Sequence, residues 1–82
     1  MTPEEREVLE FINEKIREEK GTRVKPTDTI KEANLDSFGY TVLFMELDDK
    51  YGYFGDVPEG SDPFEFIDWE NTTYAEVIQK CL

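Results

Sequence analysis

The spacing of apolar residues limits the fold of this chain more strictly than any other feature of its sequence. Apolar side chains recur every three or four residues in separate segments, which is typical of helices with one buried face. No segment alternates apolar and polar residues as a half-buried strand would. The 82 residues leave room for one domain with one modest core. We therefore expect a single all-α domain over residues 1–82, built as a small four-helix bundle.

The first helix is predicted from the cap at its start. Thr2, Pro3 and Glu5 form an S/T-x-x-E capping box with proline at the first helical position. The basic residue Lys20 and the following Gly21, which accepts a left-handed conformation, predict its end. Its buried stripe consists of Val8, Leu9, Ile12 and Ile16.

A second helix is predicted from about Ser37 to Tyr51, with Asp36 as its N-cap and Gly52 just beyond its end. It carries more apolar residues than one buried stripe can hold. The main stripe consists of Leu43, Phe44, Leu47 and Tyr51. A neighbouring face, which a small bundle cannot bury completely, holds Phe38, Val42 and Met45.

Long connections are expected after the first and second helices. The first connection has turn-forming residues and one predicted helical turn around Ile30. The second, Tyr53 to Asn71, is rich in glycine and proline, but its aromatic residues predict that it packs against the core. A short third helix is expected from about Pro63 to Asp68. Thr72 or Thr73 caps the last main helix.

The composition excludes several kinds of site. Histidine is absent and Cys81 is the only cysteine, which excludes histidine acid/base catalysis, Cys/His zinc sites and an intrachain disulfide. The segment "DDKYGYFGD" lacks the ligand order of a calcium-binding EF-hand loop. We therefore expect no catalytic residue and no metal site.

The charge and hydropathy of the chain predict its surroundings. Twenty acidic and nine basic residues give a net charge of −11, which opposes binding to nucleic acids and to anionic membranes and favours basic protein partners. The longest apolar run, Val42 to Met45, is too short to cross a bilayer, and Met1 leads into charged residues. We expect a cytoplasmic protein.

Ser37 stands at a helix start, where three roles are open to it. It could cap the helix, but Asp36 is already placed as the cap and Tyr40 completes no capping box with Ser37. It could be a nucleophile, but Lys31 and Lys50 stand in no recognisable relation to it and no histidine is present to activate it. It could be the attachment point of a phosphate ester, because free N–H groups and the helix dipole favour a phosphate there.

The segment "LDSFGYTVLFMELDDKYG", residues 35–52, resembles the Asp-Ser-Leu segment and following helix of acyl carrier proteins. The segment that leads into it, "IKEANLDS", and the C-terminal segment "NTTYAEVIQKCL" agree in outline with the same family. The resemblance implies an acyl-carrier-like bundle of three main helices and a short third helix. It also implies that a phosphopantetheinyl transferase attaches 4'-phosphopantetheine to Ser37, in a site that includes Asp36. The arm would hold an acyl chain as a thioester, so Cys81 need take no part.

The same resemblance implies that the second helix docks on partner enzymes. These would be acyl-loading and acyl-transfer enzymes of fatty acid, lipid or polyketide-type biosynthesis, with basic patches that meet a monomeric, non-catalytic carrier. The expected partner-binding residues are Asp36, Phe38, Val42, Met45, Glu46, Asp48 and Asp49. Phe38 stands where the family usually has leucine, and Val42 where it often has an acid, which indicates a specialised carrier.

The second connection suggests a place for the acyl chain. Its aromatic residues, with two residues of the second helix, could line an apolar pocket, or they could simply fill the core. The pocket candidates are Phe44, Leu47, Phe64, Phe66, Ile67 and Trp69. Two other functions stay open, namely an aminoacyl or peptidyl carrier, and an acidic helical adaptor that is never modified.

Overall fold

The fold consists of three α-helices and no β-strand, in a computed structural model that describes all 82 residues. The helices are α1 (Pro3–Glu18), α2 (Ser37–Tyr51) and α3 (Tyr74–Cys81). The connections contain a first 3₁₀ helix, Ile30–Ala33, and a second 3₁₀ helix, Pro63–Phe66. The predicted all-α class is confirmed. The short third helix expected from about Pro63 to Asp68 is present only as the second 3₁₀ helix, so the four-helix bundle is not confirmed.

Each α-helix is capped by the side chain of the residue immediately before it. The Glu5 N–H donates to the Thr2 hydroxyl (3.1 Å) and the Thr2 N–H donates to the Glu5 carboxylate (2.7 Å), which completes the predicted capping box. The Gly39 N–H donates to Asp36 Oδ1 (2.7 Å) at the start of α2. Thr73 caps α3 with a capping box of its own. The predicted helix starts are confirmed. They could be predicted because each cap acts on residues that are close in the sequence.

The end of α1 differs from the prediction. The left-handed residue is Lys20, with φ of 63°, and not Gly21. Gly21 is needed for a different reason, since a Cβ atom there would lie 2.5 Å from Leu35 Cδ2 and 2.6 Å from the Ala33 carbonyl oxygen. Gly52, with φ of 69°, ends α2 as predicted.

One hydrophobic core joins the three helices. The helices contribute Val8, Ile12 and Ile16 from α1, Leu43, Phe44 and Leu47 from α2, and Tyr74, Val77, Ile78 and Cys81 from α3. The connections add Val24, Ile30, Ala33 and Tyr53. No helix has the length and apolar composition needed to cross a membrane.

The first connection is fixed to the helices at several points. The side chain of Asn13, only 4% exposed, donates to the Val24 carbonyl oxygen (3.1 Å) and accepts from the Val24 N–H (2.8 Å). The Ile30 N–H donates to the Thr72 carbonyl oxygen (3.1 Å), just before α3. The Ile30 carbonyl oxygen accepts from the Tyr74 hydroxyl (2.8 Å). These bonds hold the first 3₁₀ helix against the start of α3.

Aromatic rings hold the second connection against α2. Phe44, on α2, contacts Tyr53 (5.2 Å between ring centroids) and Trp69 (5.5 Å). Phe54 lies between Tyr53 (5.1 Å) and Phe64 (5.3 Å). Such ring contacts stabilise a segment that has little secondary structure of its own. The prediction that this segment packs against the core is therefore confirmed.

Candidate functional site

Ser37 is the first residue of α2 and its side chain is exposed. The cap of this helix is Asp36, so Ser37 is not the capping residue. Thr41 donates to the Ser37 carbonyl oxygen (2.9 Å), and the Ser37 hydroxyl takes part in none of the hydrogen bonds at this helix start. The hydroxyl is therefore open to an enzyme that would modify it.

A surface groove of about 360 Å³ opens beside Ser37. We call it the Ser37 groove, and its lining residues are Lys31, Leu35, Ser37, Tyr40, Thr41, Phe64 and Trp69. The rings of Tyr40 and Trp69 meet edge to face at 5.7 Å. The Tyr40 hydroxyl also donates to the Ile30 carbonyl oxygen (3.1 Å), which fixes the ring. The wall of the groove next to the Ser37 hydroxyl therefore contains aromatic rings that are held in place by contacts within the chain.

Lys31 is the only charged residue that lines the Ser37 groove. Its ammonium group pairs with the carboxylate of Glu70, which follows Trp69 in the chain. Both side chains are mostly exposed, at 56% for Lys31 and 71% for Glu70. This ion pair joins the first 3₁₀ helix to the end of the second connection.

The apolar partner-binding candidates lie largely at the surface of α2. Phe38 is 68% exposed and Met45 is 59% exposed, whereas Val42 is half-buried. Asp49 is exposed and forms no ion pair within the chain. A surface with exposed large apolar side chains and a free carboxylate is suited to contact with another protein.

Besides the capping Asp36, two of the acidic candidates have contacts within the chain. The Glu46 carboxylate lies 3.0 Å from the Lys15 ammonium of α1, and this hydrogen bond raises the pKa of Lys15 above its ordinary value. Asp48 Oδ1 accepts from the Phe54 N–H (2.8 Å) and so fixes the turn after α2. These contacts give both acids a role in the fold, which the sequence reasoning missed.

The six acyl-pocket candidates lie in three different places. Phe44 and Leu47 are fully buried in the core. Phe64 and Trp69 line the Ser37 groove, with their rings parallel and 6.4 Å apart between centroids. Phe66, which is 60% exposed, and Ile67 line a second groove of about 460 Å³. The candidates therefore form no single pocket.

Sequence reasoning missed part of the lining of the Ser37 groove. Tyr40 and Thr41 are three and four residues after Ser37, so helical spacing alone could have placed them on its face. Lys31 carries no such signal, because its distance from Ser37 depends on how the first connection packs. Leu35 also lines the groove, and it contacts the core only in part.

The chain has no cluster of side chains suited to a metal ion. Burial raises the pKa of the Cys81 thiol to about 11, so this thiol stays protonated at neutral pH and is a poor nucleophile. Comparison with known protein families, characterised proteins and solved structures gives no match for this chain. The exposed serine beside an apolar groove is therefore the main guide to function.

Proposed function

We propose that this chain is an acyl carrier protein that bears 4'-phosphopantetheine on Ser37. The observation that carries the proposal is an exposed, unbonded serine hydroxyl on the first residue of α2, beside a groove with apolar walls. The proposal agrees with the family resemblance of residues 35–52. Under this proposal, the second 3₁₀ helix would correspond to the family's short third helix.

The attachment reaction requires no catalytic residue of the carrier itself. Ser37 Oγ forms a bond to the phosphorus that joins the pantetheine arm to the rest of coenzyme A, and the bond from that phosphorus to the leaving adenosine 3',5'-bisphosphate breaks. The serine proton passes to a base of the transferase. The attached arm supplies a thiol that holds an acyl chain as a thioester. This chain has to provide only an accessible hydroxyl on a fixed backbone.

Two features of the helix start fit a phosphodiester at Ser37. The N–H groups of Ser37 and Phe38 have no acceptor within the chain, because the cap serves Gly39. The positive end of the α2 dipole lies at the same place. The N–H groups of Ser37 and Phe38 are therefore available to a negatively charged ester on Ser37, although the neighbouring Asp36 carboxylate, which accepts from the Gly39 N–H, is also at this helix start.

The surface of α2 fits docking to partner enzymes with basic patches. The net charge of −11 would steer the carrier towards a positive surface, and the exposed side chains of Phe38 and Met45 would then make apolar contacts. Asp49 is the candidate acid that is free for such a contact, since Asp36, Glu46 and Asp48 each have a partner within the chain.

The test is intact-mass measurement after incubation with coenzyme A and a broad-specificity phosphopantetheinyl transferase. The chain has two serines, so Ser61→Ala serves as the matched control for Ser37→Ala. We expect one phosphopantetheine mass on the wild type and on Ser61→Ala, and none on Ser37→Ala. If the wild type gains no mass while a known carrier in the same reaction does, the proposal is wrong and an unmodified acidic adaptor becomes the better interpretation.

A further inference from the structure

Lys31 occupies a fixed position in the groove that contains the proposed attachment point. The neighbouring Ile30 is bonded through its N–H to Thr72 and through its carbonyl oxygen to the Tyr40 and Tyr74 hydroxyls. The backbone that carries Lys31 is therefore anchored to both α2 and α3. Only the end of the Lys31 side chain can move from one binding partner to another.

The present partner of Lys31 is easily replaced. Glu70 is exposed and lies on the second connection, and exposed ion pairs are weak because water and salt screen them. The other lysines with contacts in the chain are placed elsewhere. Lys15 pairs with Glu46, Lys50 lies over the Phe11 ring at 4.6 Å, and Lys80 pairs with Asp56.

We propose that Lys31 binds the phosphodiester of the arm on Ser37 and exchanges Glu70 for it. This inference rests on the proposed function. A phosphodiester carries a full negative charge at neutral pH, and its bond to Ser37 Oγ keeps it at the groove that Lys31 lines. A tethered anion has a high effective concentration, so it competes well with a carboxylate on a separate segment. Lys31 acts here as a positioning residue for the arm.

The exchange has a consequence for the wall of the groove. Once Lys31 leaves Glu70, the ion pair that joins the end of the second connection to the first 3₁₀ helix is lost. Trp69 immediately precedes Glu70 and lines the groove. Attachment of the arm should therefore change the surroundings of Trp69, which is the only tryptophan of the chain and reports through its fluorescence.

The experiment compares unmodified and phosphopantetheinylated protein in the wild type, Lys31→Gln, Lys31→Arg and the control Lys25→Gln. Lys25 is exposed and outside the groove, so its variant loses the same charge without the proposed contact. The readouts are the phosphorus NMR shift of the phosphodiester, its change with NaCl, the NMR signals of Glu70 and the fluorescence of Trp69.

We expect Lys31→Gln to move the phosphorus signal several-fold more than Lys25→Gln does, and Lys31→Arg to keep the wild-type signal. Added NaCl should move the wild-type signal towards that of Lys31→Gln. In the wild type, attachment of the arm should shift the Glu70 signals towards those of unmodified Lys31→Gln and change the Trp69 fluorescence.

Two results would overturn the inference, and intact mass tells them apart. If the arm attaches fully, but the phosphorus signal is the same in wild type and Lys31→Gln and the wild-type Glu70 signals do not move on attachment, Lys31 stays paired with Glu70. Lys31 then does not bind the phosphodiester, and the carrier function stands. If no arm attaches to the wild type, both the proposed function and the inference fail.

Discussion

Ser37 is free for modification because its neighbour, Asp36, supplies the cap of α2. The two neighbouring aspartates Asp48 and Asp49 also differ in their roles. Asp48 fixes the turn after α2 through the Phe54 N–H, whereas Asp49 has no partner within the chain. Substitution of Asp48 should affect the fold as well as any docking, and substitution of Asp49 should affect docking alone.

Gly21 provides a sharp test of packing at a single residue. In Gly21→Ala the new methyl group would lie within 3 Å of Leu35, Ala33 and Ile16 atoms. One of these contacts is with the Ala33 carbonyl oxygen, which cannot move away by a change of side-chain rotamer. We expect the free energy of unfolding to fall by about 1–3 kcal/mol, measured by urea denaturation.

The adjacent Lys20→Gly is the matched comparison for Gly21→Ala. Lys20 has φ of 63°, a conformation that glycine adopts without steric strain. We expect this variant to keep or exceed the wild-type stability, by up to about 1 kcal/mol. A Gly21→Ala protein as stable as the wild type would show that residue 21 has room for a side chain.

At the level of elements, α2 combines a buried stripe with an exposed apolar face, and both follow from helical spacing. Leu43 and Leu47 are fully buried, while Phe38 and Met45 are mostly exposed. The three helices place their buried faces in one core, and a small bundle has no further element to cover the rest of α2. The exposed face is therefore available to a partner.

The cap of α2 can be separated from any recognition role of Asp36. Asparagine also caps helices, so Asp36→Asn should stay within about 0.5 kcal/mol of the wild type, whereas Asp36→Ala should lose about 1 kcal/mol. Urea denaturation measures both. Asp49→Ala is the control, since it removes an exposed acid of the same helix that has no partner. Equal stability of the two alanine variants would contradict the capping role.

The same variants test whether the transferase contacts Asp36. If Asp36→Asn is as stable as the wild type but accepts phosphopantetheine more slowly, the carboxylate charge itself contributes to recognition. An unchanged rate would limit Asp36 to its structural role at the helix start.

Helix starts could be predicted from sequence, and several other features could not. Thr2, Asp36 and Thr73 act on N–H groups three residues away, so their capping is local. The left-handed Lys20 was missed because glycine is the usual residue at that position, whereas here the Lys20 N–H donates to the Arg17 carbonyl oxygen (3.0 Å) and the Gly21 N–H to the Ile16 carbonyl oxygen (2.9 Å), which places Lys20 at the left-handed position. The Ser37 groove could not be predicted, because it forms only where the two connections meet α2.

At the scale of the whole molecule, the negative charge is unevenly distributed. Residues 51–79 contain seven acidic residues and no lysine or arginine. The four ion pairs of the chain all involve side chains that are at least partly exposed. Such pairs offset little of the repulsion between like charges in the folded state. Repulsion between the carboxylates therefore destabilises the folded state, and added salt should stabilise it by screening that repulsion.

Substitution of Glu59 tests whether this repulsion limits stability, because the residue is exposed in the acidic segment and forms no ion pair. Glu59→Gln changes the net charge from −11 to −10, and Glu59→Lys changes it from −11 to −9. Melting temperature at low salt should rise in that order. Adding NaCl from about 0.01 M to about 1 M, which shortens the screening length from about 30 Å to about 3 Å, should raise the melting temperature of the wild type most. A melting temperature that falls with salt, or that is higher in the wild type than in Glu59→Lys, would show that like-charge repulsion does not limit the stability of this fold.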